Sequence, residues 1–145
     1  MDQVLENIFP NLALNGYELT SPETPFYNCI AWSVGDNTKW WWPDGINYWP
    51  DNIPCVATVE SFRLMYESFD FVVCDNFEIE AGFEKIALYV NPLTKQPTHA
   101  SRQLSDGKWT SKLGRLKDIS HNTLGGVEGA VYGVPFIFMK RPNIV

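Results

Sequence analysis

Between residues 58 and 69 the apolar positions Val59, Phe62, Met65, Tyr66 and Phe69 recur at helical spacing, with Glu60, Arg63 and Glu67 turned the other way. This pattern predicts an amphipathic helix with one face on the core, entered through Thr58 as N-cap. A shorter helix is predicted over residues 29–35. Asn28 caps it, Ile30, Ala31 and Val34 are available to the core, and Gly35 stops it. Residues 1–8 form one helical piece before Pro10, and Asn15-Gly16 marks a turn. From residue 83 the period changes to that of a sheet. Ile86–Val90 reads as a strand ended by Asn91-Pro92, Thr98–Leu104 as a second and Lys108–Leu113 as a third. Ser105-Asp106-Gly107 between the last two predicts a three-residue bulged hairpin turn with Gly107 in the left-handed position. Phe71–Cys74 reads as a short buried strand, Leu116–Leu124 as a short helix or turn capped at Asp118, and Val134–Met139 as a final strand. Helices first and a mostly antiparallel sheet after is the α+β pattern, in a single domain spanning 1–145.

Composition narrows the classes. The 145 residues suffice for one core, and an apolar share of 45% is ordinary for a globular chain. No apolar run approaches a membrane span, and the acidic N-terminus lacks the pattern of a secretory signal, so a cytoplasmic protein is expected. Three widely spaced cysteines, Cys29, Cys55 and Cys74, do not make a disulfide framework. Two histidines without ligand spacing predict no metal site, and no cofactor is expected. The net charge of −6 argues against nucleic acid as a partner. It is unevenly spread: residues 1–84 hold 14 acids and 2 bases, residues 85–145 hold 3 acids and 9 bases. The basic stretch is either a solvated face or an attractor for a carboxylate-bearing substrate, through Lys95, Arg102, Lys112 and Arg115.

Chemistry concentrates at Cys29. A thiol in the first turn of a helix meets free N–H groups and the positive end of the macrodipole, which favour the thiolate. With a three-residue turn, His99, Ser101, Trp109 and Ser111 share one face of the sheet; a two-residue turn brings Lys112 there instead. Cys29 as nucleophile, His99 as base and Ser111 as the group orienting the imidazole satisfy the logic of nucleophilic catalysis. The segment 39–50 carries four of the six tryptophans, punctuated by Pro43, Gly45 and Pro50. It either walls a substrate groove, with Trp41, Trp42 and Trp49, or covers the core from one side. Trp109, Arg102 and Lys112 are further candidates for substrate contact.

The order of these motifs resembles the papain-like cysteine hydrolases of the NlpC type and the related CHAP amidases. Asn28-Cys29-Ile30 is similar to that family's Asp-Cys-Ser at a helix start, and Phe83–Tyr89 to the strand before its histidine. His99 then falls on the general base. Asp106–Ser111 falls on the turn and third residue, with Ser111 where His, Asn or Gln is usual. The resemblance covers residues 26–114 and implies a papain-like core acting on a peptide or protein amide as peptidase, amidase or deamidase. Because serine is a poorer orienter, Asp118 is an alternative third group, and a degenerate site is another alternative. Asn28 and the Cys29 amide are the candidate oxyanion donors. The strings Tyr27–Trp32, Pro97–Leu104 and Trp109–Gly114 also resemble a compact family of bacterial proteins that brings no activity with it. A non-catalytic protein-binding or immunity-type module on the same scaffold is the competing expectation.

Overall fold

The fold is built from short elements on one sheet, and the structure, a computed structural model, describes residues 2–143. In chain order these are α1 (Gln3–Ile8), α2 (Asn11–Asn15), β1 (Tyr17–Ser21), α3 (Cys29–Val34), α4 (Val59–Glu67), β2 (Val72–Cys74), β3 (Phe83–Val90), β4 (Pro97–Gln103), β5 (Trp109–Lys112) and β6 (Asp118–His121). A 3-10 turn (Leu124–Val127) and β7 (Val134–Pro142) follow. The seven strands form one sheet in the order β1-β6-β5-β4-β3-β7-β2, and each neighbouring pair is antiparallel.

Alternation along the strands separates two apolar layers. Ile86, Leu88, Ala100 and Met139 pack with Cys29, Ile30 and Ala31 of α3 and Phe62, Met65 and Tyr66 of α4. Ala87, Tyr89, Trp109 and Ile119 pack instead with Leu5, Phe9 and Leu12 from the N-terminal helices and with Leu124, Val127 and Tyr132. The sheet is therefore sandwiched, an α+β arrangement with its central strands covered on both sides.

The long amphipathic pattern forms α4, with the Thr58 hydroxyl accepting the Ser61 N–H; the helix ends at Glu67, two residues before the expected limit. The hairpin turn is the three-residue type. Leu104 N–H donates to the Lys108 carbonyl, Gly107 has φ +88°, and Arg102 faces Thr110. That register sets Ser111 on the His99 side.

Two assignments differ, and two further elements appear. Residues 118–121 form a strand where a helix or turn was expected, because Asp118 pairs with Lys112 and Ile119 with Ser111 across β5. Only four residues long and buried throughout, β6 shows no alternation to betray it. The Val72–Cys74 strand lies at the sheet edge with Val72 and Val73 exposed, and only the preceding Phe71 is buried. Neither α2 nor the opposite edge strand β1 was foreseen. Pro135 in β7 is tolerated because β2 pairs only with residues 138–140, leaving that end of β7 open on one side. Among the described residues no helix is long and apolar enough to cross a membrane.

Candidate active site around Cys29 and His99

The Asn28 side chain starts the site. Its Oδ1 accepts the Ala31 N–H (3.1 Å), capping α3, and also the Trp41 N–H (3.1 Å), while Nδ2 donates to the Trp41 carbonyl (2.7 Å). One amide thus fixes both the helix start and the aromatic loop above it. Cys29 follows with 5% of its surface exposed, and burial pushes its thiol up to about 11. The amides of Ala100, Ile30 and Cys29 itself, and then the Lys112 ammonium, act in the opposite direction without prevailing. This departs from the expected thiolate. A six-residue helix carries a weak terminal field, and desolvation of the anion outweighs it. At neutral pH the sulfur is a thiol. Cys55 is exposed, and Cys74 rests its sulfur 3.4 Å from the Asn76 carbonyl.

His99 is fully buried at the head of β4, stacked on Tyr132 (4.0 Å between centroids, 8° between planes) and edge-on to Tyr89. Its Nε2 lies 3.0 Å from the Ser111 hydroxyl, which is 2.8 Å from Ser101 Oγ and 2.7 Å from His121 Nε2; His121 Nδ1 lies 2.7 Å from the Thr123 carbonyl. Burial pulls His121 down to about 4 and pulls His99 well below the ordinary imidazole value, with His121 adding to the effect on His99. Both rings are neutral at pH 7, and proton positions then follow from donor counting. A carbonyl only accepts, so His121 carries its hydrogen on Nδ1 and offers Nε2 as acceptor. Ser111 donates its single hydrogen to that nitrogen. Its oxygen then accepts from His99 Nε2–H, while Ser101 gives its own hydrogen to the Tyr89 hydroxyl (3.3 Å), which donates onward to the Leu124 carbonyl (2.7 Å). His99 is left with a bare lone pair on Nδ1, and that atom is buried without a hydrogen-bond partner among the described residues. An unmet buried acceptor costs about 1–3 kcal/mol.

His121 and Tyr132 were not singled out in the sequence. The signal for His121 was its place in β6, where the pairing Ser111↔Ile119 and Trp109↔His121 puts 109, 111, 119 and 121 on one face. Reading Leu116–Leu124 as a short helix or turn hides it. Tyr132 arrives from a loop with no periodicity.

Cys29 and His99 approach from different layers, α3 on one face and the Tyr89–Trp109 side on the other. The thiol reaches β4 near its head, where pairing with β3 shifts register between Tyr89↔His99 and Val90↔Pro97. The thiol lies by the Ala100 amide, one residue past His99, and Tyr132 both stacks on His99 and lines the pocket that opens at Cys29. No hydrogen bond joins the thiol to Nδ1. The pocket has a volume of about 300 Å³ and includes Asn28, Trp40, Trp42, Asp44 and Thr98.

Several residues expected at the substrate are placed elsewhere. Trp41 and Trp49 are buried, with indole N–H groups bonded to Asp36 (2.8 Å) and the Pro54 carbonyl (3.1 Å); they cover the core. Trp109 is buried in the opposite layer. Lys112 is buried and points its ammonium at the carbonyls of Thr24, Gly114 and Leu116, so it is not available to a ligand. Arg102 lies over the Trp32 ring and lines a different groove, beside residues 79–84. Lys95 sits over Phe136, and Arg115 is exposed outside the pocket. The basic stretch therefore does not surround Cys29. Asp118 is not bonded to His99: one oxygen accepts the Tyr27 hydroxyl (2.5 Å), the other is buried with no hydrogen-bond partner among the described residues, and burial raises its carboxyl. Trp42 alone of the proposed wall lines the pocket, joined by Trp40. Among the described residues no group of three or more His, Cys, Asp or Glu is placed to hold a metal ion.

Fold and site define an α+β protein with a buried cysteine at a helix start and a buried histidine–serine–histidine network within the sheet sandwich. The chain belongs to the family described as a domain of unknown function (DUF7689), whose model matches residues 18–140. That span runs from β1 into β7 and leaves out the two N-terminal helices. No curated protein and no solved structure matches the chain.

Proposed function

We infer that this protein is a cysteine-dependent amide hydrolase of papain-like character, with Cys29 as nucleophile and His99 Nδ1 as its base. The observation that carries this reading is the bare, buried Nδ1, held in that tautomer by Ser111 and His121. A structural histidine bonds both nitrogens; a general base keeps one lone pair open. The resting pair is neutral on both sides. Substrate brings thiol and imidazole into contact, and the S–H proton passes to Nδ1 as sulfur attacks the carbonyl carbon. The oxyanion meets the N–H groups of Cys29 and Ile30 and the second Nδ2 hydrogen of Asn28, because the Oδ1 of that amide does the capping and leaves Nδ2 free to donate. Collapse of the tetrahedral species breaks the C–N bond, and the amine leaves with the proton from Nδ1. Water, deprotonated by the same nitrogen, cleaves the thioester to the acid and restores the thiol.

The competing reading, a non-catalytic binding module on the same scaffold, is favoured by the buried, protonated thiol. p-Nitrophenyl acetate separates the two. The hydrolase gives a burst of nitrophenolate stoichiometric with acetylation of Cys29, seen by mass spectrometry and absent from C29A. In H99A the burst slows by about 100-fold or more, the usual worth of a positioned base. A wild-type protein that gains no acetyl group at Cys29 is a binding module.

A further inference from the structure

The four indoles of the aromatic loop divide into two pairs. Trp41 and Trp49 are buried, with their N–H groups bonded inside the protein. Trp40 and Trp42 are half-buried, make no indole N–H hydrogen bond among the described residues, and both line the Cys29 pocket. Trp42 rests edge-on against Phe62, whereas Trp40 meets no other ring among the described residues. Asp44 stands at the same opening. Its Oδ1 accepts the N–H groups of Ile46 and Asn47 (2.9 Å each) and its Oδ2 accepts Asn47 Nδ2 (2.7 Å), which fixes the carboxylate at the turn. The same bonds, that of the Asn47 backbone first, hold its carboxyl below the usual range, so it is ionised at neutral pH. It is the one Asp, Glu, Lys or Arg among the described residues lining this pocket.

Two half-buried indoles beside a fixed carboxylate form an environment for a weakly hydrated cation: the ring quadrupoles attract it and the carboxylate balances its charge. We propose that the Cys29 pocket accepts substrates bearing an alkylammonium group, held by Trp40, Trp42 and Asp44. This replaces the anionic substrate that the basic stretch suggested, and it rests on the hydrolase reading only for its catalytic readout.

Two measurements keep the claims apart. Acylation of Cys29 by p-nitrophenyl 4-(trimethylammonio)butanoate is compared with that by the neutral isostere, p-nitrophenyl 5,5-dimethylhexanoate, each corrected for its uncatalysed rate. The cationic ester is preferred by about tenfold, in keeping with a partly desolvated cation–π site, and D44N and W40L each narrow that ratio. In parallel, choline and 3,3-dimethylbutan-1-ol are titrated into C29A while the indole N–H resonances of Trp40 and Trp42 are followed by NMR. Choline moves these resonances at a concentration about tenfold below that of the alcohol, and D44N removes the difference. Acylation by neither ester together with choline binding overturns the hydrolase reading and leaves the cation site standing. Equal rates for the two esters, or equal binding of choline and its isostere, overturn the cation site.

Discussion

At the scale of single residues, the protonation state of His99 is decided two side chains away. His121 receives the Ser111 hydrogen, and this obliges Ser111 to accept from His99. Replacing His121 with leucine removes that acceptor, so the Ser111 hydrogen turns to His99 Nε2 and the imidazole proton moves to Nδ1, where it blocks the base. The H121L variant is expected to lose about 100-fold in Cys29 acylation, while H121Q, whose carbonyl oxygen again accepts from Ser111, recovers most of it. Equal rates for H121L and wild type, with both folded by circular dichroism, would deny His121 this positioning role. Cys29 carries a second expectation. With its thiol pushed up to about 11 and its surface nearly closed, it should react with iodoacetamide at pH 7 at least about tenfold more slowly than the exposed Cys55. Peptide mapping after timed labelling gives both rates, and preferential labelling of Cys29 would mean that the resting state is a thiolate.

At the scale of elements, turns place the site residues, and two glycines make this measurable. Gly107 (φ +88°) sets the β4–β5 register, and a Cβ there meets nothing closer than Ile79 at 4.0 Å, so G107A should cost only the left-handed strain of about 1–2 kcal/mol. Gly133 (φ +74°) follows Tyr132, and a Cβ there falls 2.0 Å from the Val90 carbonyl oxygen, so G133A adds a backbone clash and should cost on the order of 3 kcal/mol or more. Urea denaturation of the two variants checks the ranking, and a G133A protein as stable as G107A would contradict the placement of the Tyr132 turn. The same elements show what was legible beforehand. The α4 stripe, the capped start of α3 and the Asp106-Gly107 turn each carry a local signature, and the turn alone predicts Ser111 beside His99. The β6 strand carries none: its four residues are held by pairing with β5 on one side and β1 on the other, so the sequence around Asp118 looks like a helix cap and His121 disappears from view. The basic stretch misled for a related reason, because Lys112 sits in a strand and turns its ammonium onto carbonyls rather than outward.

At the scale of the whole molecule, two neutral histidines inside the sheet sandwich make folding sensitive to acid. Their folded-state values lie below that of an unfolded chain, so the unfolded state binds more protons between pH 6.5 and about 4, and stability falls as pH falls through that window. The slope approaches about 1.4 kcal/mol per pH unit for each histidine that titrates only on unfolding, with the raised Asp118 carboxyl partly opposing it at the acid end. Chemical denaturation across that range should show the loss, and H121Q should flatten it. The central claim, however, is that the sandwich holds His99 as a neutral ring with an open Nδ1. Nitrogen-15 NMR of the histidine side chains at pH 7 tests this most directly. The account predicts a pyrrole-like Nε2 bearing the hydrogen and a pyridine-like Nδ1 on His99, with the reverse tautomer on His121; a hydrogen on His99 Nδ1 would contradict it.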